Sequence, residues 1–318
     1  MNWRRTNVTA PGLHLRRPSL AIRLTHLDHL GLSYAALGRY VPPVSPLLID
    51  QEAAERVARL EIPFNSFGFD PYGISRDAVA RAMSVARFLY RHYFTVSVAG
   101  MHNVPHHGRA MLIGNHSGGV ALDAGIVAAA AFFELDPPRL AQGMAEKFIN
   151  RVPFFSEWAN RTGHFTGLPE NAARLLNDDR LLLVFPEGAR GTAKLFPERN
   201  SLVQFGSGFM RLALETRTPI VPFAFLGGGE AIPTVANAYR LGRLLGLPYI
   251  PITPWIAPLP LPVRLHLRLG KPLVFEGTGS EDDEVVAGYV DQVKHTIAGL
   301  IREGLETRAA EKRTPRTP

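Results

Sequence analysis

Short apolar runs, each closed by a glycine- or proline-bearing turn and spaced by helical patterns, limit this chain's fold more than any other feature. Thr95–Ala99, Ala110–Gly114, Leu181–Phe185, Pro219–Leu226 and Val263–Leu269 have the length and bounding residues of strands. Leu122–Leu135, Pro169–Asn177, Gly206–Thr216 and Asp282–Gly304 carry apolar residues at helical spacing, and Pro169 suits a first helical position. Val263, Leu265, Leu267 and Leu269 alternate with Arg264, His266 and Arg268, so that strand has one apolar and one basic face. Val286, Tyr289, Val290, Val293, Ile297, Leu300 and Ile301 form a single stripe on the last helix. Strands alternating with helices predict an α/β domain whose mixed, mostly parallel sheet is flanked by helices.

The expected organisation has three parts. Residues 1–94 read as a basic, partly helical N-terminal region. It ends in a helix capped by Ser75 or Asp77 that carries Val79, Met83, Ala86, Leu89, Tyr90 and Tyr93. The α/β domain covers 95–305, and the charged, proline-containing residues 306–318 read as a disordered tail. Arg4, Arg5, Arg16 and Arg17 precede no apolar core of signal-peptide type.

Composition excludes some chemistry. The 318 residues include no cysteine, so disulfides, thiolate metal sites and a cysteine nucleophile are ruled out. A net charge of +7 fits an anionic partner such as a phosphorylated molecule or an acidic bilayer. No zinc-finger spacing, aromatic-basic RNA motif or basic recognition helix is present, so nucleic acid is not an expected partner. The longest uncharged apolar stretch, Leu244–Val263, holds Pro248, Pro251, Pro254, Pro258, Pro260 and Pro262, which no spanning helix tolerates together. It reads instead as an extended surface loop. Leu247, Ile250, Trp255 and Ile256 would meet a membrane, or line an acyl chain if the loop folds back as a lid, and Arg240, Arg243 and Arg264 flank it.

Two clusters carry chemistry. In Asn115-His116-Ser117-Gly118-Gly119-Val120-Ala121-Leu122-Asp123, an apolar strand runs into a glycine turn and then a helix. On a continuous helix His116 and Asp123 would stand about 10 Å apart. The glycines free the chain to bring the carboxylate to the imidazole, giving an orienting acid and a general base. Backbone amides of Ser117, Gly118 and Gly119 are candidate oxyanion or positioning groups. In Val184-Phe185-Pro186-Glu187-Gly188-Ala189-Arg190, Arg190 suits a grip on phosphate, and Glu187 suits either a polyol hydroxyl or support of the histidine. A third run, Pro219–Leu226 followed by Gly227-Gly228-Gly229-Glu230, reads as a buried strand and a flexible glycine turn.

The blocks NHSGG…D, VFPEG-R and PIVP-F, in this order between Val96 and Leu273, resemble the glycerolipid acyltransferase superfamily. That group includes lysophosphatidate acyltransferases and bacterial diacylglycerol acyltransferase-like members. The resemblance implies one acyltransferase domain and transfer of a fatty acyl group from acyl-CoA or acyl-carrier protein to a glycerolipid hydroxyl. It also implies a His116/Asp123 dyad, an acceptor loop of Glu187, Gly188 and Arg190, and no metal or redox cofactor. The family's usual spacing is H-x4-D, whereas six residues separate His116 from Asp123 here. Pro169 stands near where the second block usually carries a phosphate-binding arginine, which moves the expected acceptor from a phosphorylated lipid toward a monoacylglycerol or diacylglycerol. The implied location is the cytoplasm, peripherally on a membrane. The competing readings are a non-catalytic lipid-binding member and a lipid or thioester hydrolase.

Overall fold

The computed structural model describes residues 49–117, 121–145, 155–256 and 259–313. The leader arginines, Gly118, Gly119 and residues 314–318 lie outside the described residues. Helix α1 (Gln51–Ala58) begins where Asp50 accepts the Ala53 amide, and α2 (Arg76–Phe88) begins where Ser75 accepts the Ala78 amide. Of the two expected caps, Ser75 is the one used. A π-helical turn, Leu89–Tyr93, leads into β1 (Thr95–Ala99). There follow β2 (Ala110–Gly114), α3 (Leu122–Glu134), β3 (Ala141–Ala145), α4 (Phe155–Arg161), β4 (Phe165–Thr166), α5 (Pro169–Asn177) and β5 (Leu181–Val184). The chain continues through α6 (Ala189–Thr192), α7 (Gly208–Thr216), β6 (Ile220–Leu226), α8 (Gly228–Ala231), β7 (Ala236–Asn237), α9 (Tyr239–Leu244), β8 (Pro251–Ile252), β9 (Arg264–Leu269) and α10 (Asp283–Arg313).

Seven strands form one sheet in the order β1-β9-β6-β2-β5-β3-β4, and β7 pairs with β8 in a separate ribbon. From β6 to β4 all neighbours are parallel; β9 lies antiparallel to β6, and β1 is parallel to β9. The mixed, mostly parallel sheet expected from the sequence is what forms. Every residue of β2 and of β6 is buried, so both faces of the sheet are covered, which is why these strands are unbroken apolar runs. Pro222 sits inside β6 without breaking it. Between the pairs Phe223↔Leu269 and Ile220↔Leu273, β6 advances three residues and the β9 side four. The proline therefore lies opposite a bulge on the β9 side, where a missing donor is tolerated, and its carbonyl still accepts the Gly270 amide at 2.8 Å.

Two sequence expectations need correction. Residues 49–94 are no separate region: Ala53, Val57, Val79 and Met83, on the apolar stripes of α1 and α2, are buried in the same apolar cluster as β2 and β6. Residues 306–313 are helical, as the last turns of α10. Their charges find partners, Glu311 with Arg264 (2.6 Å) and Arg308 with Glu230 (3.3 Å), and one turn earlier Glu303 pairs with Arg268 (3.2 Å). The basic face of β9 is thus covered by the acids of α10.

Candidate active site

The loop after β2 and the loop after β5 meet at the C-terminal ends of adjacent parallel strands, where open α/β sheets place their sites. Asn115, the first residue beyond β2, mimics one further strand residue. Its amide donates to the Phe225 carbonyl at 3.0 Å and accepts the Phe225 amide at 2.8 Å, pinning the loop to β6. His116 follows, its ring stacked on Phe185 with centroids 3.9 Å apart and planes 9° from parallel.

Asp123 lies in the first turn of α3 and is 1% exposed. Its Oδ2 stands 3.0 Å from His116 Nδ1 and accepts the Ser117 amide at 3.0 Å, while Oδ1 accepts the Ala124 amide at 2.9 Å. A carboxylate fixed by two backbone donors holds Nδ1 as the protonated nitrogen, which leaves the lone pair on Nε2. Nε2 has no hydrogen-bonding partner among the described residues. The juxtaposition expected across the glycine turn is therefore present. Ser117, however, spends its amide on Asp123, so it positions the carboxylate and is not an oxyanion donor; its hydroxyl lies 3.4 Å from the same oxygen.

Glu187 lies as the second of its two expected roles, support of the histidine, requires. It is 1% exposed, and both oxygens are engaged: Oε2 accepts the His116 amide (3.2 Å) and Lys194 Nζ (2.6 Å), and Oε1 accepts the Val203 amide (3.1 Å). A carboxylate so enclosed supports the histidine loop and does not reach an acceptor. Lys194, absent from the sequence reading, is the missing piece. Its Nζ also donates to the His116 carbonyl at 2.7 Å, so one ammonium and one carboxylate hold both backbone polar groups of the histidine. Burial pulls its pKa below the ordinary lysine value, against the pull of Glu187 and Asp123. The sequence signal was a lone lysine in an apolar context seven residues after Glu187. Gly188, at φ +56°, turns the chain into α6, and exposed Arg190 is held, among the described residues, by Gln204, at 3.3 Å to Oε1 and 3.4 Å to its carbonyl.

The Gly227–Gly229 run is not a flexible turn. A Cβ on Gly228 would stand 1.9 Å from Ser117 Oγ, and one on Gly229 would stand 2.4 Å from the Arg199 Cβ and 3.0 Å from the Ser117 carbonyl. Glycine is needed there because α8 lies directly against the histidine loop. The proline-rich segment, through Tyr249, and the residues just before it are anchored beside the site as well. Asn237 donates to the Ala193 carbonyl at 2.6 Å, the Phe196 amide donates to the Thr234 carbonyl at 2.8 Å, and the buried Tyr249 hydroxyl pairs with Thr192. Of the four apolar residues expected at a membrane, Trp255 and Ile256 are exposed, whereas Leu247 and Ile250 are half-buried. Arg264 is committed to Glu311, which leaves Arg240 and Arg243 as the exposed basic flank. Among the described residues no helix is long and apolar enough to cross a membrane.

Residues 95–226, which span β1 through β6 and include every side chain of this site, match the family described as Acyltransferase. An uncharacterised protein of Mycobacterium tuberculosis is 35% identical over 243 residues, covering 73% of this chain and 67% of that protein. The chain belongs to the acyltransferase family. A human protein named "DGAT1/2-independent enzyme synthesizing storage lipids" is 24% identical over 214 residues, covering 64% of this chain and 60% of its own length. The crystal structure of the 1-acyl-sn-glycerophosphate (LPA) acyltransferase PlsC from Thermotoga maritima matches with a TM-score of 0.48 at 16% identity, covering 70% of this chain and 81% of that one.

Proposed function

We propose that this protein transfers a fatty acyl group from a thioester to the hydroxyl of a glycerolipid, with His116 as general base and Asp123 as its orienting acid. The observation that carries the reading is the His116 Nδ1–Asp123 contact at the end of β2, buried and supported from behind by Glu187 and Lys194. Nε2 takes the proton of the acceptor hydroxyl, whose oxygen forms the new ester bond as the acyl carbon–sulfur bond breaks. The proton then passes to the departing thiolate. A thioester is already electrophilic, so placement and general-base help suffice, the latter contributing about 10²–10⁴-fold. No metal or redox group enters this scheme.

A neutral acceptor, monoacylglycerol or diacylglycerol, is favoured over a lysophospholipid. Glu187 is unavailable, Arg190 is the only cation of the expected acceptor loop, and a relative bears a name for storage-lipid synthesis. The protein works at a cytoplasmic membrane surface, reached by the apolar segment anchored to Thr192. Leu244 (81% exposed), Leu245 (59%), Ile256 (81%) and Leu259 (67%) are its contacts, with Arg240 and Arg243 meeting anionic headgroups at roughly 1 kcal/mol each. The test is incubation of purified protein with radiolabelled palmitoyl-CoA and, separately, monoacylglycerol, diacylglycerol and lysophosphatidate. Label is expected in a neutral glycerolipid. Release of free fatty acid alone would mean a hydrolase, and no turnover with bound lipid a non-catalytic member.

A further inference from the structure

A groove of about 610 Å³ runs between α10 and residues 200–202, and neither dyad residue lines it. Its volume lies within the range of about 300–1,000 Å³ typical of small-molecule sites. Lys294, Ala298 and Arg302 follow one another at four-residue spacing, so they form one stripe of α10 along the groove. That stripe sets a small side chain between two cations. Arg302 leans toward the gap. A Cβ added to Gly299 would stand 4.0 Å from Arg302 Nη2, so the guanidinium lies back along the helix toward Ala298. Lys294 reaches toward the opposite wall, with Nζ 5.6 Å from the centre of the Phe205 ring.

Other cations on this side of the molecule are committed. Arg264, Arg268 and Arg308 each pair with a carboxylate, whereas Lys294 and Arg302 have none among the described residues. The lining holds one acid, Asp291, a turn before Lys294. Toward the other end the lining becomes apolar. Ile301 and Leu305 continue along α10 with Leu202 on the loop wall, and Leu305 is 37% exposed. From Ala298 to Leu305 the helix rises about 10 Å. A bare anion over Ala298 would serve both cations and leave this apolar end unfilled.

We propose that the groove is a second ligand site, for a single-chain anionic amphiphile. One carboxylate or phosphate sits over Ala298 between Lys294 and Arg302, and one acyl chain lies along Leu202, Ile301 and Leu305. The ligand does not reach His116. It meets the loop behind the histidine's support: Val203, next to Leu202, donates to Glu187 at 3.1 Å, and Gln204 holds Arg190. Occupancy ties Leu202 down and slows opening of the Val203–Glu187 bond, which couples the groove to the candidate site. Binding here is independent of the acyl-transfer reading; only the use made of the coupling rests on it.

The experiment titrates oleate and oleoyl-lysophosphatidate, each below its critical micelle concentration, into three proteins by calorimetry: wild type, Lys294→Ala/Arg302→Ala and Ala298→Glu. Ala298→Glu puts a carboxylate on the anion seat and, at a half-buried helical position, leaves the fold standing. Both variants are expected to weaken binding of the anionic lipid about tenfold, whereas neutral monooleoylglycerol should bind all three proteins alike. The lipid that binds wild type more tightly names the head group. Inorganic phosphate should bind far more weakly than that lipid; if it binds as well, the chain contributes nothing and the amphiphile assignment fails. Unaltered binding of both anionic lipids in the variants, or an equal loss for monooleoylglycerol, would overturn the site. In deuterated buffer the bound lipid should slow exchange of the Val203 amide about tenfold in wild type and not in Ala298→Glu. An unchanged rate in wild type would overturn the coupling. Lipid binding as expected in a protein that transfers no acyl group would sink the acyl-transfer reading and keep the groove. Acyl transfer with binding unaltered in both variants would do the reverse.

Discussion

His116 has every group but one spoken for: its amide by Glu187, its carbonyl by Lys194, its Nδ1 by Asp123 and its ring face by Phe185. Removal of the imidazole should therefore act on chemistry and leave the surrounding scaffold standing. His116→Ala is expected to lower kcat for acyl transfer by about 10²-fold or more with an unchanged melting temperature. Asp123→Asn should lower it less, since the base remains but loses its orienting anion. Wild-type rates in both variants would refute the dyad. Lys194 behaves oppositely, because its partner Glu187 is buried with it. Lys194→Met strands a carboxylate and should cost about 3–5 kcal/mol in urea unfolding, whereas Glu187→Gln/Lys194→Met should recover most of that. A single variant as stable as wild type would show that the pair does not hold the loop.

Among the elements, those whose signal is local were readable in advance. The bounds of β1, β2 and α5 are those expected from the sequence, because turn residues and apolar runs mark them. The His116–Asp123 contact was also legible, since both residues belong to one short loop-helix segment. β3 and β4 were not: Ala-Gln-Gly-Met-Ala has no β-branched residue and no alternation, and it becomes a strand because β5 and β4 pair with it on either side. The last turns of α10 and the rigidity of Gly227–Gly229 escaped for the same reason, as their partners lie far away in the chain. β3 brings a further consequence through Gly143, whose close approach to His164 leaves that ring stacked on Trp158 with centroids 5.9 Å apart. Burial pushes the His164 pKa from 6.5 to about 4. The folded state thus binds its proton later than the unfolded chain. Above pH 6.5 the residue is neutral in both states and costs nothing; between 6.5 and about 4 only the unfolded chain is protonated, so stability falls as pH falls. Melting temperatures across that window should decline more steeply in wild type than in His164→Gln. Parallel curves would remove His164 as the cause.

Taken whole, the molecule mounts its apolar surface and its histidine on one turn. Thr192 holds Tyr249 of the proline-rich segment, Ala193 holds Asn237 just before it, and Lys194, the next residue, holds His116. Serine at Leu244, Leu245, Trp255 and Ile256 should release the protein from anionic liposomes in flotation without lowering its melting temperature, because exposed side chains contribute little to folding. Unchanged flotation with a large thermal loss would make the segment part of the core and end the docking idea. The Asn115 clamp carries the last consequence. The Phe225 amide is closed by a side chain of the histidine loop, and the His116 amide by a buried glutamate. Neither proton can reach solvent by fraying of a surface loop. In deuterated buffer both should exchange as slowly as the amides inside β2 and β6, so the histidine loop opens only when the centre of the sheet does.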